Sequence, residues 1–245
     1  ERLPNYDYQI YQKRENEPMN AYYYYNVTDI INTDRSNMPE SQKSLQAEAQ
    51  LPGCPIIEDK NKDGKIDEND IYMKDNSPAV YVGFGNTFTY KNFEFSFFMY
   101  GQFGIQKYNI AYSAAQAGPL AVDYPENSNK FAYRLWNSQT NPNGSRPGLA
   151  IGKMGALPGN AWVNTDMENA SFMRMRNITL AYNLTGNLLG SLQRYVRNIK
   201  VYVDAQNPFI LTKFQGFDPE IYTGGGSRGE YPQTRTFSLG ANITF

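Results

Sequence analysis

RTFSLGANITF, residues 235–245, decides the fold class. Phe237, Leu239, Ala241, Ile243 and Phe245 fall on one face of an extended strand, and Thr236, Ser238, Gly240, Asn242 and Thr244 fall on the other. A period of two belongs to a strand, not to a helix. An apolar side opposite a small, polar one suits a wall between lipid and a wet interior. The expectation is an all-β chain whose antiparallel strands cross an outer membrane.

The same pattern recurs upstream in AVYVGFGNTFTY (79–90), the turn Lys91-Asn92, and FEFSFFMYGQF (93–103). Val80, Val82, Phe84, Phe88 and Tyr90 share one face going in, and Phe93, Phe95, Phe97, Met99 and Phe103 share one coming back. So short a connection joins antiparallel neighbours. The opposite faces carry Gly83, Gly85, Thr87 and Thr89, then Glu94, Ser96 and Gln102, with Phe98 and Tyr100 among them. A soluble sandwich shows the same alternation, with its aromatic face buried against a second sheet.

Strand-like sequence also occupies 19–27, 171–184 and 199–212, so six strands are expected from residue 19 onward. An earlier stretch through Lys13 alternates Tyr6, Tyr8 and Ile10 but is interrupted at Pro4 and by KRENEP. Between the strands lie long loops at 28–79, 104–170 and 213–234, the first expected to hold a short helix around Glu40–Gln50. Long loops on one side and short turns on the other are the asymmetry of a membrane barrel. Six strands leave two open edges, and unpaired backbone groups are intolerable in hydrocarbon. The missing strands are therefore expected upstream or in another chain.

Composition narrows the function classes. Tyr 20, Phe 14 and Gly 20 stand beside 23 basic and 24 acidic residues, a mixture that favours sheet and aromatic girdles. A formal charge of −1 without a long Lys/Arg cluster gives nucleic acid no electrostatic footing. Cys54 is the single cysteine and histidine is absent, so neither an internal disulfide nor zinc chemistry is expected. No apolar run reaches the roughly 18 residues of a membrane helix. No secretory leader is recognisable at Glu1, which suggests the mature C-terminal part of something larger, without a plug domain in this segment.

The loop at 59–70 carries a ligand pattern. Asp59, Asn61, Asp63, Lys65 through its carbonyl, Asp67 and Asp70 occupy positions 1, 3, 5, 7, 9 and 12 of a calcium loop, with Gly64 at the sharp turn. Asp70 replaces the longer, bidentate Glu of an EF-hand. Two readings stand: a calcium site, or a solvated turn rich in Asp, Asn and Lys. Arg174 and Arg176 share parity with Ile178, Leu180, Tyr182 and Leu184. A regular strand puts them at the lipid-side rim, where they snorkel to water; the alternative is a bulge that turns them inward. Asp218, Glu220 and the surrounding aromatics suit loop packing better than sugar binding or hydrolysis, and Gly224–Gly226 lacks the strand–helix setting of a phosphate loop. Enzyme activity is not expected.

NEPMNAYYYY (16–25), DKNKDGKIDENDIYM (59–73), the hairpin at 76–104, ENASFMRMRNITLAYNL (168–184), NIKVYVDAQNPFILTKFQGFDPEI (198–221) and YPQTRTFSLGANITF (231–245) together resemble the C-terminal portion of SusC/RagA-like TonB-dependent transporters of Bacteroidota outer membranes. That resemblance implies a barrel of about 22 strands with a plug inside it. It further implies a SusD-like surface lipoprotein as lid, TonB as the energy-coupling partner through a missing N-terminal region, outer-membrane lipid around the wall, and an oligomeric nutrient, glycan or peptide, as cargo. The alternative is a barrel that serves as a scaffold in another surface or secretion complex. The segment around Gly53-Cys54-Pro55 and the insertion at 104–165 match no family pattern.

Overall fold

A computed structural model describes residues 16–18, 20–109, 134–148, 157–158, 162–216, 218–220 and 232–245. The alternation at Tyr6–Ile10, the Gly224–Gly226 run and much of the 104–165 insertion lie outside them. The chain forms two compact units, Glu1–Ser77 with Gln106–Glu168, and Pro78–Ile105 with Asn169–Phe245. Strands are numbered in chain order: β1 Ala21–Tyr25, β2 Val27–Ile30, β3 Pro55–Ile57, β4 Tyr72–Asp75, β5 Val80–Tyr90, β6 Phe93–Phe103, β7 Gln106–Tyr108, β8 Trp162–Val163, β9 Met167–Asn169, β10 Phe172–Thr185, β11 Asn198–Gln206, β12 Ile210–Thr212 and β13 Thr236–Thr244.

In the first unit, β1 lies between antiparallel β4 and parallel β8. The AYYYY stretch, expected within 19–27 as one of the six strands, is therefore not a strand of the large sheet. Tyr23 and Tyr25 are fully buried against Ile31, Cys54, Ile57 and Ile71, so its aromatic rings fill a protein core. Within 28–77 the chain carries secondary structure of its own, including β3 and β4. Two 3-10 helices, Glu40–Ser44 and Ala47–Gln50, stand where a short helix was expected. Gln42 holds them to β3: its amide donates to the carbonyls of Ala49 and Pro55, and its Oε1 accepts from Ile57 N, all at 3.1 Å. A fully buried amide needs such partners to offset its desolvation.

The second unit is built on one antiparallel sheet in the order β13-β11-β10-β6-β5, with β12 continuing β11 along β10. Cross-strand partners share a face, so the register sorts the side chains. One rung reads Phe88, Phe95, Leu180, Val203, Leu239, and the next Tyr90, Phe93, Tyr182, Val201, Ala241. Thr87, Ser96, Thr179, Asp204 and Ser238 make a rung of the opposite face. A soluble sandwich would bury the apolar side. Here Phe84, Phe88, Phe237 and Leu239 are each more than half exposed, which is the state of a lipid-facing wall.

The sheet's two ends differ. At one, β5 and β6 are joined by Lys91-Asn92 and β10 and β11 by residues 186–197. Lys91 takes a φ of 53°, and Asn92 is pinned to β10 by its Nδ2 donating to Asn183 O at 2.5 Å and its carbonyl accepting from Asn183 N at 2.8 Å. At the other end the chain leaves for residues 104–171 and 213–235.

Candidate functional site

The polar sheet face near the long connections holds the unit's only strongly buried charge cluster among the described residues. Its position depends on a register shift between Met175 and Asn177 on β10. Before the shift, Met173 and Met175 face the apolar side opposite Gly101 and Met99, and Arg174 lies opposite Tyr100; after it, Ile178 returns to the apolar side. The rim placement expected for Arg174 is thus replaced by the bulge, which absorbs the extra residue and reverses parity. Arg174 is 3% exposed. Arg176 is exposed and donates from Nη1 to Asn207 Oδ1 at 3.2 Å, while its carbonyl accepts from Asn207 N at 2.9 Å.

Arg174 organises the connection that follows β12. Its Nη2 meets Asp218 Oδ1 at 2.6 Å and its Nε donates to Glu220. Tyr100 donates its hydroxyl to the same Glu220, and the Tyr100 and Phe172 rings meet edge-on at 5.7 Å. Asp218 also accepts from Glu220 N at 2.9 Å and from Gln233 N at 3.2 Å. Asp218 and Glu220 therefore serve as the two arms of one guanidinium clamp, not as a facing pair across a reacting bond. Beside them lies a cavity of about 250 Å³, lined by Arg174, Asn207, Phe209, Asp218, Gln233 and Arg235. Sequence parity alone missed this cluster; the Asn207-Pro208 break after β11 was the available sign that the ladder is irregular here.

Farther along the polar face, Lys200 Nζ meets Glu94 Oε1 at 2.8 Å and Thr179 Oγ1 donates to Asp204 at 2.6 Å. Gly240 makes room for the Tyr202 ring, since a Cβ there would lie 2.5 Å from Cζ. These groups make a wet surface of paired charges and hydroxyls.

The loop at 59–70 belongs to the first unit. Gly64 takes a φ of 84°, where only glycine is unstrained. Asp59 accepts from Asp63 N at 3.2 Å and Gly64 N at 2.8 Å, Asn61 from Asp63 N at 3.1 Å, and Asp63 from Lys65 N at 2.9 Å. Asp67 and Asp70 form a capping box on the 3-10 turn Glu68–Asp70, and the fully buried Asp70 also accepts from Lys60 N at 2.8 Å. The six residues thus gather in one loop through backbone N–H groups. No three His, Cys, Asp or Glu side chains among the described residues converge on a point where a metal would sit. Tyr25, whose Oη is 2.9 Å from the carbonyl oxygens of Asp67 and Pro158, has its pKa pushed well up by burial and then by the charges of Asp70, Glu68 and Asp67.

Comparison with known proteins bears on what this wall belongs to. No protein-family model matches the chain. TonB-dependent receptor P3 of Formosa agariphila is 27% identical over 244 residues, covering 95% of this chain and 23% of that protein. TonB-dependent receptor SusC of Bacteroides thetaiotaomicron is 32% identical over 191 residues, covering 76% of this chain and 17% of that protein. The RagAB peptide transporter superposes with a TM-score of 0.67 at 22% identity, over 100% of this chain and 24% of that one. This chain is a partial SusC/RagA-like TonB-dependent receptor. It spans about a fifth of the length of the curated relatives it matches.

As a SusC/RagA-like receptor it resides in the outer membrane, and the sheet of β5, β6, β10, β11 and β13 is a stretch of barrel wall. Its apolar face meets lipid and its polar face the lumen. No helix among the described residues is long and apolar enough to cross a membrane. The relatives carry the names of receptors and a transporter, not of enzymes.

Proposed function

We propose that the protein to which this chain belongs imports oligomeric nutrients, glycan or peptide, across the outer membrane by a TonB-dependent mechanism, with a SusD-like lipoprotein over its outer mouth. The observation that carries this reading is the similarity to TonB-dependent receptors along 95% of the chain. The wall geometry supports it: a polar face lined by Glu94, Asp204 and Lys200 suits a lumen through which hydrophilic cargo moves. RagAB, a peptide importer, shares the fold, which supports oligopeptides as one cargo class. The mechanism is binding and gated passage, with no bond made or broken.

Uptake of labelled oligosaccharides and oligopeptides by cells of the native host tests the proposal. Cells with the intact receptor should accumulate one class, and cells whose receptor lacks its TonB-contacting segment should not. Equal accumulation by both would remove the transport reading in favour of a scaffold. For the loop at 59–70 we propose calcium as ligand, supported by the spacing of Asp59, Asn61, Asp63, Lys65, Asp67 and Asp70 and by the turn at Gly64. Calorimetric titration of the intact receptor should give calcium heat that Asp63→Ala abolishes; no heat from either protein rejects the site.

A further inference from the structure

We propose that the short-turn end of this wall is an anchor for the anionic phospholipid headgroups of the periplasmic leaflet, and that the segment Gly186–Arg194 lies in the plane of that leaflet. Short turns face the periplasm in barrels of this kind, and the longer connections face outward. Gly186–Arg194 is the larger of the two short connections and folds as 3-10 turns kinked at Gly190, whose φ is 55°. Leu189 and Val196 are buried and hold the segment to the sheet end. Leu188, Leu192 and Tyr195 are left 53%, 51% and 70% exposed.

The sheet end to which this segment is joined carries an apolar surface of its own. The last rungs of the lipid face at this end are Tyr90, Phe93, Tyr182, Val201 and Ala241, then Leu184, Ile199 and Ile243. Phe93 and Tyr182 pack edge-on at 4.7 Å, and Tyr90 is 69% exposed. Tyrosines with an apolar body and a polar tip are the residues of a membrane–water boundary. The lipid-facing band thus arrives at the turn, which itself exposes Leu188, Leu192 and Tyr195.

Charge makes the partner specific. Residues 169–203 contain no Asp or Glu, and the connecting segment places Arg194 and Arg197 in solvent. Neither has an ion-pair partner among the described residues. Lys91 in the neighbouring turn leans over the Tyr90 ring at 5.4 Å. Three cations beside exposed leucines and tyrosines match a phosphate layer resting on acyl chains, the setting of an in-plane amphipathic segment.

The test uses the intact receptor in bilayer nanodiscs, with a fluorophore at Leu192→Cys and other reactive cysteines removed. Lipid-borne spin labels near the headgroup should quench it strongly, and aqueous iodide should quench it weakly. An anionic spin-labelled lipid should be enriched over a zwitterionic one by about fivefold for each basic residue it meets, the factor that about 1 kcal/mol of attraction per basic residue confers. Arg194→Gln/Arg197→Gln in the same background should remove the share of that enrichment owed to the two arginines, leaving at most the roughly fivefold of Lys91, with lipid quenching still in place. Quenching by iodide alone would overturn the proposal by placing the segment in water. Shielding from both quenchers would overturn it by showing protein cover, and anionic enrichment unchanged by the Arg substitutions would overturn the headgroup assignment.

Discussion

Replacing Arg174 with Leu separates the two places that side chain was able to occupy, because they give opposite signs. On the lipid face, Arg174→Leu removes a charge from hydrocarbon and stabilises the wall by up to about 2–4 kcal/mol near the midplane. In the structure the guanidinium is 3% exposed and neutralises Asp218, which is 5% exposed, and Glu220. Removing one partner of a buried ion pair typically costs about 3–5 kcal/mol, since the other charge stays buried alone. Asp218 keeps the N–H groups of Glu220 and Gln233, so the lower end, about 3 kcal/mol, is expected. Asp218→Asn should cost about 2 kcal/mol, and Glu220→Gln less than 1 kcal/mol or so because Glu220 reaches solvent. A double-mutant cycle between Arg174 and Asp218 should give a coupling of about 1–3 kcal/mol. Urea titration of the receptor folded in bilayers measures the losses, and amide exchange at 213–220 and 232–235 should rise in Arg174→Leu. A gain in stability, or equal losses from Asp218→Asn and Glu220→Gln, would refute the clamp.

Leu239, 77% exposed on the lipid face, should lose roughly 2–4 kcal/mol on Leu239→Arg, whereas Asn242→Ser on the opposite face should lose little; urea titration in bilayers compares them. Gly101→Ala should cost about 3 kcal/mol because its Cβ would meet the Phe172 carbonyl oxygen at 2.5 Å, while Gly240→Ala, which meets only the movable end of Tyr202, should cost nearer 1 kcal/mol. Cys54 is fully buried and its thiol is pushed up to about 11, mainly by that burial, so it should resist maleimide in the folded receptor and react after denaturation. The sign for stability follows: the unfolded thiol ionises near its ordinary 9.0 and the folded one only near 11, so the protein should lose about 2–3 kcal/mol relative to Cys54→Ala as pH rises between them. Parallel pH titrations of the two proteins check it, and identical curves would count against a buried thiol.

Strand identity and face were legible wherever a strand was regular. Phe237, Leu239 and Ile243 on β13 and the aromatic row of β5 and β6 lie on the face their parity predicts, because a period of two is a local property that each residue reports independently. The sharp turn at Gly64 was equally local, as was the chain order that puts short turns at one end of the sheet. What the tertiary structure decided were matters of which segments meet. AYYYY reads as a barrel strand, yet its Tyr23 and Tyr25 are buried in a core closed by Cys54, Ile57 and Ile71, which are distant in sequence. Arg174 changes face at a single inserted residue, and that bulge persists because Asp218 and Glu220, more than 40 positions away, receive the guanidinium on the polar side. Periodicity records how a strand alternates with itself; it carries no term for the energy of a partner that only folding brings within 3 Å.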